Sequence, residues 1–434
     1  MTYREAVARL LALRGGEIPG MRPGTERVQA ALDAVGNPEQ RCRLVQVGGT
    51  NGKGSISAML AATATAAGRR TGLYTSPHLA SFRERIRVDG HAISPDDLAD
   101  GVDALGTLIA RLDLTTFEAA TVLALDHFAS EEVELAVLEV GLGGRLDATT
   151  VGRPEATVLG PVDLDHQAWL GDTIAAIATE KAAIIRSGVA LSARQHPDAD
   201  AVIRARARAT GIPLLVEGDG LESRLVRFGL DGQWLDLRGP DWAMSEVRCA
   251  LLGPHQASNA LLAAAAARQL GLDEGAIREG LARVRWPGRF QVLPGEPVLV
   301  LDGAHNPAGA RALAEALRLY FPDRPLTLVI GVLGDHDGAG ILAALAPLAT
   351  RLILTPVASP RSAAPATLAA LVPGGSPRGE VAGSAAEALA LASRGPATPI
   401  VCVAGSLYLV GEVLVLRSPG GPESPDILCG LSPR

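Results

Sequence analysis

Short apolar stretches alternate with longer alanine-rich stretches over most of the 434 residues. The short stretches have the length and composition of buried strands, and the longer ones have the character of helices. This alternation is typical of parallel sheets with crossover helices, and it predicts an α/β fold. We expect strands at residues 43–47, 71–75, 134–140, 155–159, 189–192 and 213–216. We expect helices at residues 53–67 and 172–186, one ending at residue 209, and a pair at 256–270 and 273–284.

Two segments interrupt this alternation. Between Glu222 and Leu252 the residues alternate singly and glycines mark turns, which predicts antiparallel hairpins. Residues 286–297, WPGRFQVLPGEP, contain three prolines and two glycines and are predicted to be a linker. We therefore expect one domain at residues 1–293 and a smaller α/β domain at 294–434, whose last dozen residues form a loose tail. In the smaller domain we expect strands at residues 298–301, 326–332 and 352–356 and helices at 308–320 and 341–348.

Composition and charge exclude several classes of protein. Hydrophobic residues make up 47% and charged residues 20%, as in globular proteins. The longest strongly apolar run, residues 260–267, is far shorter than the ~20 residues that span a bilayer, so we expect no membrane helix. Charged residues precede any apolar block at the N-terminus, so we expect no signal peptide and a cytoplasmic protein. The net charge of −7 argues against a nucleic-acid partner, and four widely spaced cysteines argue against disulfides or zinc.

The strongest local signal is the sequence GGTNGKGS at residues 48–55, between an expected strand and an expected helix. Glycines let backbone amides surround phosphate oxygens, the helix N-terminus adds positive potential, and Lys53 can reach the outer phosphates. The strict phosphate-loop pattern is not met, because Val47 replaces its first glycine and Gly54 separates Lys53 from Ser55. A simple glycine turn is the alternative, but strand, loop, lysine and helix occur in the right order. We therefore expect a parallel-sheet ATPase domain with a phosphate loop and a hairpin-rich insertion, plus a smaller Rossmann-like α/β C-terminal domain.

Polar residues also follow other expected strands, at the edge where parallel sheets bind ligands. Ser76 is a candidate ligand to a metal or a substrate. The alternative is a structural serine whose hydroxyl forms a hydrogen bond within a turn. Glu139 ends an apolar strand, where a carboxylate is costly unless it is paired or holds a cation. It is therefore a Mg²⁺ candidate, with an ion-paired turn as the alternative. The glycines after it would admit a substrate, with Arg145 and Asp147 available for polar contacts.

Other candidates are less specific on their own. His166 fits a structural histidine better than a Mg²⁺ ligand, because Mg²⁺ prefers oxygen. Lys181 is typical of a solvated charge pair with the preceding glutamate, and residues 255–259 are typical of a helix cap. Residues 302–307, DGAHNP, end a strand of the second domain, and we expect them to face Arg289. Such polar groups at a domain junction indicate a site that is completed when the domains close.

Taken together, these segments resemble folylpolyglutamate synthase and dihydrofolate synthase of the Mur ligase superfamily. The matching segments occur in family order from residue 49 to about residue 410: GTNGKGS, TSPHL with FRERI, TFE, LEVGLGGRLDAT, LDH, EKAAI, HQASNA, WPGR, DGAHNP and AGSLYLV. The resemblance implies an ATP-dependent, ADP-forming ligase that adds L-glutamate to dihydropteroate, to folate (poly)glutamates or to both, through an acyl phosphate. The alternatives are a folylpolyglutamate synthase alone, another Mur-type amino-acid ligase such as one acting on peptidoglycan precursors, and a slowly hydrolysing nucleotide switch.

The resemblance also implies roles for individual residues. It implies ATP contacts by Gly49, Thr50, Asn51, Gly52, Lys53, Gly54, Ser55, Asn259, Arg289 and Asp302. It implies magnesium ligands at Ser76, Glu139 and His166, and catalytic roles for Lys53, Lys181, Asp302 and His305, with Lys181 carboxylated. The pterin-bearing substrate is implied near Arg85, Thr115, Thr116, Phe117, Glu118, Leu146, Asp147 and Ala148, and the incoming glutamate near His305 and Ser406. The implied cofactors are ATP and Mg²⁺, with K⁺ as a further cation, and the implied state is a monomer that binds small molecules, without nucleic acid or membrane.

Three positions depart from the family pattern. Thr150 replaces the usual asparagine and Ala183 replaces a glycine, and both lie beside functional residues without replacing them. His336 stands where the family commonly has lysine. We expect this third change to alter the contacts of the second domain.

Overall fold

Two sheets, each covered by helices on both faces, make up the chain in the computed structural model, which describes residues 1–15, 22–394 and 399–417. This confirms the predicted α/β fold class. The expected C-terminal tail lies outside the described residues. Within the described ranges no helix is both long and apolar enough to cross a membrane.

The larger sheet has eleven strands in the order β11-β10-β9-β8-β7-β6-β1-β5-β2-β3-β4. Its strands are β1 (Arg43–Gly48), β2 (Thr71–Tyr74), β3 (Ile86–Val88), β4 (His91–Ala92), β5 (Leu135–Glu139), β6 (Ala156–Leu159), β7 (Val189–Ser192), β8 (Leu214–Glu217), β9 (Gly220–Gly229), β10 (Gly232–Gly239) and β11 (Trp242–Cys249). The central strands pair in parallel, whereas β3 and β4 at one edge and β10 and β11 at the other pair antiparallel. The predicted hairpins thus extend a sheet whose middle is parallel.

Helices cover both faces of this sheet because its central strands are apolar on both sides. The helices of this part are α1 (Tyr3–Leu11), α2 (Glu26–Ala34), α3 (Lys53–Ala66), α4 (Pro95–Leu112), α5 (Thr116–Ser130), α6 (Gln167–Leu170), α7 (Ile174–Ala182), α8 (Pro197–Thr210), α9 (His255–Gln269) and α10 (Glu274–Arg283). Val45 and Val47 pack with α3, α9 and α10, while the preceding Leu44 packs with α1, α2, α4 and α5. The strand thereby separates two cores, and the largely buried glycine-rich loop follows its C-terminal end.

The smaller sheet has six strands in the order β12-β13-β17-β14-β15-β16. Its strands are β12 (Gln291–Leu293), β13 (Val298–Leu301), β14 (Leu326–Ile330), β15 (Arg351–Leu354), β16 (Gly379–Val381) and β17 (Ile400–Ala404), and its helices are α11 (Pro307–Tyr320), α12 (Gly338–Leu345), α13 (Pro365–Ala370), α14 (Ala385–Ala392) and α15 (Leu407–Leu416). Only β12 pairs antiparallel among these described strands. α11 and α12 pack on one face, and α14 and α15 on the other.

One feature of the predicted linker differs in the structure. Residues 291–293 form β12, which pairs with β13, so the smaller sheet already begins at Gln291. The two prolines and the glycine that follow this strand gave residues 286–297 the composition of a linker, although Val292 packs against the smaller core. The chain therefore enters the smaller sheet directly from the segment that carries Arg289.

Candidate active site

The glycine-rich loop lies between the end of β1 and the start of α3, as the sequence predicts. Gly49 and Gly52 have positive φ angles of 130° and 84°, which side chains rarely adopt. A Cβ on Gly49 would lie 3.0 Å from the backbone of Gly160, so only glycine fits there. The Lys53 ammonium donates to the carbonyls of Gly49, at 3.2 Å, and Thr50, at 3.0 Å. Loop, lysine and helix N-terminus together form a positively charged cradle suited to phosphate groups.

Lys181 reaches the same loop from α7. Its Nζ donates to the Gly49 carbonyl at 2.9 Å, and the residue is only 4% exposed. Burial, reinforced by the charge of Lys53, lowers the pKa of Lys181 to about 7. The interpretation of Lys181 as half of a solvated pair is therefore wrong, because the preceding Glu180 pairs with Arg145 instead, at 3.0 Å. A buried, partly neutral amine beside a phosphate cradle can react with CO₂ or accept a proton.

The three candidate metal ligands lie around this cradle. Glu139 ends β5 beside β1, and its carboxylate accepts a hydrogen bond from the amide of Ser76 at 3.2 Å. Burial raises the pKa of Glu139, and the nearby charges of Lys53 and Arg289 oppose that rise. His166 has a left-handed backbone (φ 49°), and burial lowers the pKa of its imidazole.

The donor set of these residues is a hydroxyl, a carboxylate and an imidazole. Its two oxygen donors fit Mg²⁺, and phosphate oxygens of a nucleotide would complete such a set. No cluster of three or more His, Cys, Asp or Glu side chains arranged for a metal occurs in the part of the chain that the structure describes. A cation here would therefore depend on ligands that a bound nucleotide supplies.

A polar relay connects the phosphate loop with α9. Gln256 donates from Nε2 to Ser55 Oγ at 3.3 Å, and Asn259 donates from Nδ2 to Gln256 Oε1 at 2.8 Å. A Cβ on Gly52 would lie 2.5 Å from the Asn259 amide oxygen, so loop and helix are in close contact. Gln256 was not predicted as a site residue. Its position in the segment HQASNA, one helical turn before Asn259, is the signal that identifies it.

Arg289 and Asp302 meet at the entry to the smaller sheet. Asp302 accepts hydrogen bonds from the amides of Phe290, at 2.7 Å, and Ala304, at 2.8 Å. Burial raises the pKa of Asp302, while the charge of Arg289 acts in the opposite direction. The predicted approach of residues 302–307 to Arg289 is thus present in the structure.

A cavity of about 590 Å³ is lined by loops of both sheets. Residues 48–55 of the phosphate loop are not part of its lining, but Asn306 is, and Asn306 hydrogen-bonds Asn51 of that loop at 3.1 Å. Of the predicted substrate residues, those that line it are Arg85, Thr115, Phe117, Glu118, Leu146, Asp147, Ala148 and Ser406. Ser76, His166 and His305 line it as well. Thr116 does not, because its side chain is fully buried and its hydroxyl donates to the Leu10 carbonyl at 2.8 Å. The structure therefore brings the predicted substrate residues together, with Thr116 as the exception.

Several of these cavity residues also hold the local backbone. Thr115 and Glu118 form a reciprocal cap at the start of α5, and Glu118 pairs with Arg27 at 2.7 Å. Asp147 accepts hydrogen bonds from the amides of Leu142, at 2.8 Å, and Thr149, at 3.0 Å. Burial raises the pKa of Asp147, and these hydrogen bonds partly counter the rise. The inner wall of the cavity is consequently buried and rigidly hydrogen-bonded.

Asn306 links the smaller sheet to the phosphate loop. Its amide nitrogen donates to Asp165 Oδ2 at 2.9 Å and to Asn51 Oδ1 at 3.1 Å, while its oxygen accepts from the Gly309 amide at 2.8 Å. Asn306 belongs to the segment 302–307 that was expected at a domain junction, but no individual role was predicted for it. An asparagine directly before a proline at a helix start indicates a cap, and its contacts with Asn51 and Asp165 carry no local signal.

Three histidines gather at the junction of the two parts of the chain. The ring of His336 lies 5.3 Å from that of His305 and 6.4 Å from that of His166, in edge-on geometry. His336 Nδ1 lies 2.6 Å from the His305 carbonyl oxygen, which accepts a hydrogen bond from the ring N–H. Burial lowers the pKa of His305 to about 4, so this imidazole is neutral at physiological pH. His336 therefore belongs to the cavity wall.

Comparisons with known proteins agree with this arrangement. Residues 47–267 match the Mur ligase middle domain, and residues 288–407 match the Mur ligase, glutamate ligase domain. The dihydrofolate synthase/folylpolyglutamate synthase of Mycobacterium tuberculosis is 38% identical over 367 residues, which cover 78% of this chain and 75% of the relative.

Solved structures of folylpolyglutamate synthases are also similar to this chain over nearly its whole length. The Mycobacterium tuberculosis folylpolyglutamate synthase complexed with ADP and AMPPCP has a TM-score of 0.88 at 35% identity, with 96% of this chain and 99% of that chain covered. The Escherichia coli protein FolC in complex with DHPP and ADP has a TM-score of 0.86 at 30% identity, with 95% and 97% covered. The chain therefore belongs to the Mur ligase family, in its dihydrofolate synthase/folylpolyglutamate synthase branch.

Proposed function

We propose that the protein adds L-glutamate to dihydropteroate and to folate (poly)glutamates, as a bifunctional dihydrofolate and folylpolyglutamate synthase. As a member of its family it is an ATP-dependent, ADP-forming amide ligase. The observation that carries the proposal is the meeting of Lys53 and Lys181 on the Gly49 carbonyl, beside a cavity shared by both sheets. Relatives named for both activities, and a relative in complex with DHPP and ADP, support the choice of substrates.

The first step transfers the γ-phosphoryl group of ATP to a carboxylate of the acceptor. A carboxylate oxygen bonds to phosphorus, the bond to the bridging oxygen breaks, and ADP leaves with that electron pair. Lys53 and the amides of residues 49–52 stabilise the charge that develops on the phosphate oxygens. Ser76, Glu139 and His166 would hold Mg²⁺, which would neutralise further phosphate charge when bound.

The second step forms the amide. The neutral α-amine of glutamate attacks the carbonyl carbon of the acyl phosphate, and the tetrahedral intermediate expels inorganic phosphate and loses one proton. His305 and Ser406 line the cavity on the side of the smaller sheet, where they would orient the amine. Because its pKa is lowered, His305 is uncharged at neutral pH, and a ring nitrogen of the neutral imidazole can accept a hydrogen bond. Positioning of two bound reactants supplies much of the rate.

Lys181 is proposed to act in its carboxylated form. Its neutral amine would bond to the carbon of CO₂ and lose a proton, which leaves an anionic carbamate. Starting from the ammonium form, a first proton is lost to give the neutral amine, so the side chain changes from a cation into an anion. The lowered pKa of about 7 supports this reaction, since a free lysine is almost fully protonated at neutral pH. The resulting carboxylate would face Lys53, which would then carry the counter-charge.

A K⁺ ion and a monomeric state are proposed from the resemblance alone. A division of the chain into units at residues 1–293 and 294–434 is proposed from the composition of the linker, although β12 at residues 291–293 pairs with β13 of the smaller sheet. A cytoplasmic location is proposed from the sequence pattern. The absence of a membrane helix within the described ranges is compatible with this location. The individual site residues are likewise proposed from the motifs and from their positions around the cavity.

ADP release measured separately with dihydropteroate and with tetrahydrofolate tests the function. We expect ADP release with each acceptor, and we expect it to require glutamate in both cases. Release with tetrahydrofolate alone would reduce the function to folylpolyglutamate synthase. Turnover with UDP-linked peptidoglycan precursors would instead favour another Mur-type ligase. ATP hydrolysis that does not depend on glutamate would favour a nucleotide switch.

A further inference from the structure

A polar side chain interrupts the apolar strand that leads into the phosphate loop. Gln46 lies between Val45 and Val47 of β1 and is only 2% exposed. Because side chains alternate along a strand, Gln46 points to the face of the sheet opposite the two valines. A buried amide costs free energy unless its donors and its acceptor are hydrogen-bonded. The hydrogen-bond partners of Gln46 therefore indicate which part of the site depends on it.

The amide of Gln46 is fully hydrogen-bonded. Its Nε2 donates to the hydroxyl of Thr150 at 2.8 Å and to that of Thr149 at 3.2 Å. Its Oε1 accepts from the guanidinium of Arg186 at 3.3 Å. A glutamine amide has two N–H donors, and both are used here. Because a guanidinium can only donate, Arg186 must face the amide oxygen, which fixes the orientation of the side chain.

The two threonine hydroxyls connect Gln46 to the cavity wall. Thr149 donates from Oγ1 to Asp147 Oδ1 at 2.5 Å, and Thr150 donates to the Gly144 carbonyl at 2.7 Å. Asp147 and Gly144 line the cavity, whereas the two threonines and Gln46 do not. Each hydroxyl has a single proton, so each accepts from Gln46 while it donates to the wall. The two donors of Gln46 therefore set the direction of both hydrogen bonds that reach the wall.

The loop that these hydrogen bonds hold is rich in glycine. Residues 141–144 have the sequence GLGG, so this segment has little conformational preference of its own. Asp147 orders it by accepting from the amides of Leu142, at 2.8 Å, and Thr149, at 3.0 Å. The hydrogen bond from the Thr149 hydroxyl to the same carboxylate is shorter than either. A displaced hydroxyl would therefore displace both the carboxylate and the loop.

Gln46 also links this wall to the two lysines of the site. It lies two residues before the glycine-rich loop that carries Lys53. Its partner Arg186 follows Lys181 by five residues and donates to the Gly152 carbonyl at 2.9 Å. The strand of the phosphate loop, the segment after α7 and the cavity wall thus meet at one buried amide.

We propose that Gln46 is a positioning residue for the acceptor. Through Thr149 and Thr150 it holds the wall at a fixed distance from the phosphate loop, so that the carboxylate of the acceptor meets the γ-phosphate of ATP. Gln46 touches neither reactant and is therefore not a catalytic residue. The inference rests on the proposed function, because it takes the cavity as the acceptor site. It also gives a role to Thr150, one of the three departures from the family pattern.

Gln46→Met, which removes both donors at similar side-chain length, and Thr149→Val, which removes one hydroxyl, test this role. We expect each to lower kcat/KM for the acceptor, dihydropteroate or tetrahydrofolate, by about tenfold or more, the scale of one lost hydrogen bond to a charged group. KM for ATP should stay within about twofold of wild type, because β1 is held by parallel ladders on both sides. Thr149→Ser keeps the hydroxyl and should restore most of the loss. Steady-state ADP release measures these constants.

A double variant tests the route from Gln46 to the wall. Because Gln46→Met and Thr149→Val break the same chain of hydrogen bonds, the double variant should be within about twofold of the more affected single variant. Thr157→Val is the matched control. Thr157 is a buried threonine opposite Gln46 in β6, and its hydroxyl donates to the Ile184 carbonyl at 3.3 Å. All kinetic constants of this control should stay within about twofold of wild type.

Urea titration establishes that each variant is folded, and the pair Thr149→Val and Thr149→Ser decides the question if Gln46→Met does not fold. Unchanged kcat/KM for the acceptor would overturn the inference. Equal losses for acceptor and ATP would make the network a general structural one, and losses that multiply in the double variant would show that Gln46 acts by another route. A wild type without glutamate-dependent ADP release with either acceptor would instead refute the proposed function itself.

Discussion

At the scale of single residues, the roles proposed for the two lysines are opposite. Lys53 and Lys181 are the only lysines in the sequence, and both donate to the carbonyl of Gly49. Two ammonium groups at one carbonyl repel each other, which is part of the reason that the pKa of Lys181 falls to about 7. Carboxylation of Lys181 would replace this repulsion by attraction.

Lys181→Ala tests this role. Loss of the proposed carboxylate should lower kcat by about 10²–10³-fold, the usual effect of removing one electrostatic group from a reaction centre. Acetate should restore part of the activity, whereas Lys53→Ala, which removes a cation, should not respond to acetate. Because the neutral amine becomes the major form as pH rises through about 7, Lys181 should already be largely carboxylated by dissolved CO₂ at pH 8 and much less so at pH 6. Stimulation of the wild type by added bicarbonate should therefore be stronger at pH 6 than at pH 8. Full turnover of Lys181→Ala without any added acid would exclude the role.

At the scale of elements, close helix packing fixes the phosphate loop. α10 packs on α3, which begins at Lys53, and the contact depends on Gly280. A Cβ on Gly280 would lie 2.4 Å from Thr63 Cα and 2.5 Å from its nitrogen. Because both atoms belong to a helix backbone, neither can move aside alone.

Gly280→Ala should therefore destabilise the protein. We expect overpacking of about 1–3 kcal/mol, which exceeds the helix propensity of about 1 kcal/mol that alanine gains over glycine. The free energy of unfolding from urea titration measures the effect. Gly374→Ala is the matched control, because a Cβ there has no neighbour within 4 Å. Equal stability of the two variants would show that the α3–α10 contact does not constrain the fold.

The elements were largely predictable from the sequence, but several contacts were not. Continuous apolar runs and a glycine loop before a helix are local signals, so β1, α3 and the phosphate loop could be predicted. The burial of Lys181 could not, because its partner, Gly49, lies 132 residues away. Likewise, Thr116 resembled its neighbours in the segment TTFE, and only the packing of α1 shows that its hydroxyl points away from the cavity. β12 could not be predicted, because a strand of three residues between prolines is too short to show the alternation of apolar and polar residues.

At the scale of the whole molecule, two sheets contribute to one cavity. The net charge of −7 disfavours anionic ligands in general, so attraction of ATP, glutamate and a folate depends on local groups. These groups lie on different sheets: Lys53 beside β1, and Arg289 beside β12. Asn306 joins the two sides through Asn51 and Asp165.

Variants of Asn306 separate this connection from the helix cap. Asn306→Ala should lower stability by about 1 kcal/mol through loss of the α11 cap, and should also lower kcat/KM. Asn306→Ser keeps a capping hydroxyl but is too short to reach Asn51, so we expect near-normal stability with a fall in kcat/KM of about tenfold or more. Urea titration and steady-state kinetics measure the two effects. Normal kcat/KM in Asn306→Ser would show that the contact between the two sides does not assist the reaction.

The central claim is that this cavity activates a carboxylate as an acyl phosphate. The most direct test uses dihydropteroate labelled with ¹⁸O in its carboxylate, together with ATP and glutamate, and mass spectrometry of the phosphate released. Because the acceptor oxygen that bonds to phosphorus leaves with it, each turnover should transfer one ¹⁸O atom to inorganic phosphate. Glutamate-dependent turnover that releases phosphate without ¹⁸O would contradict the account.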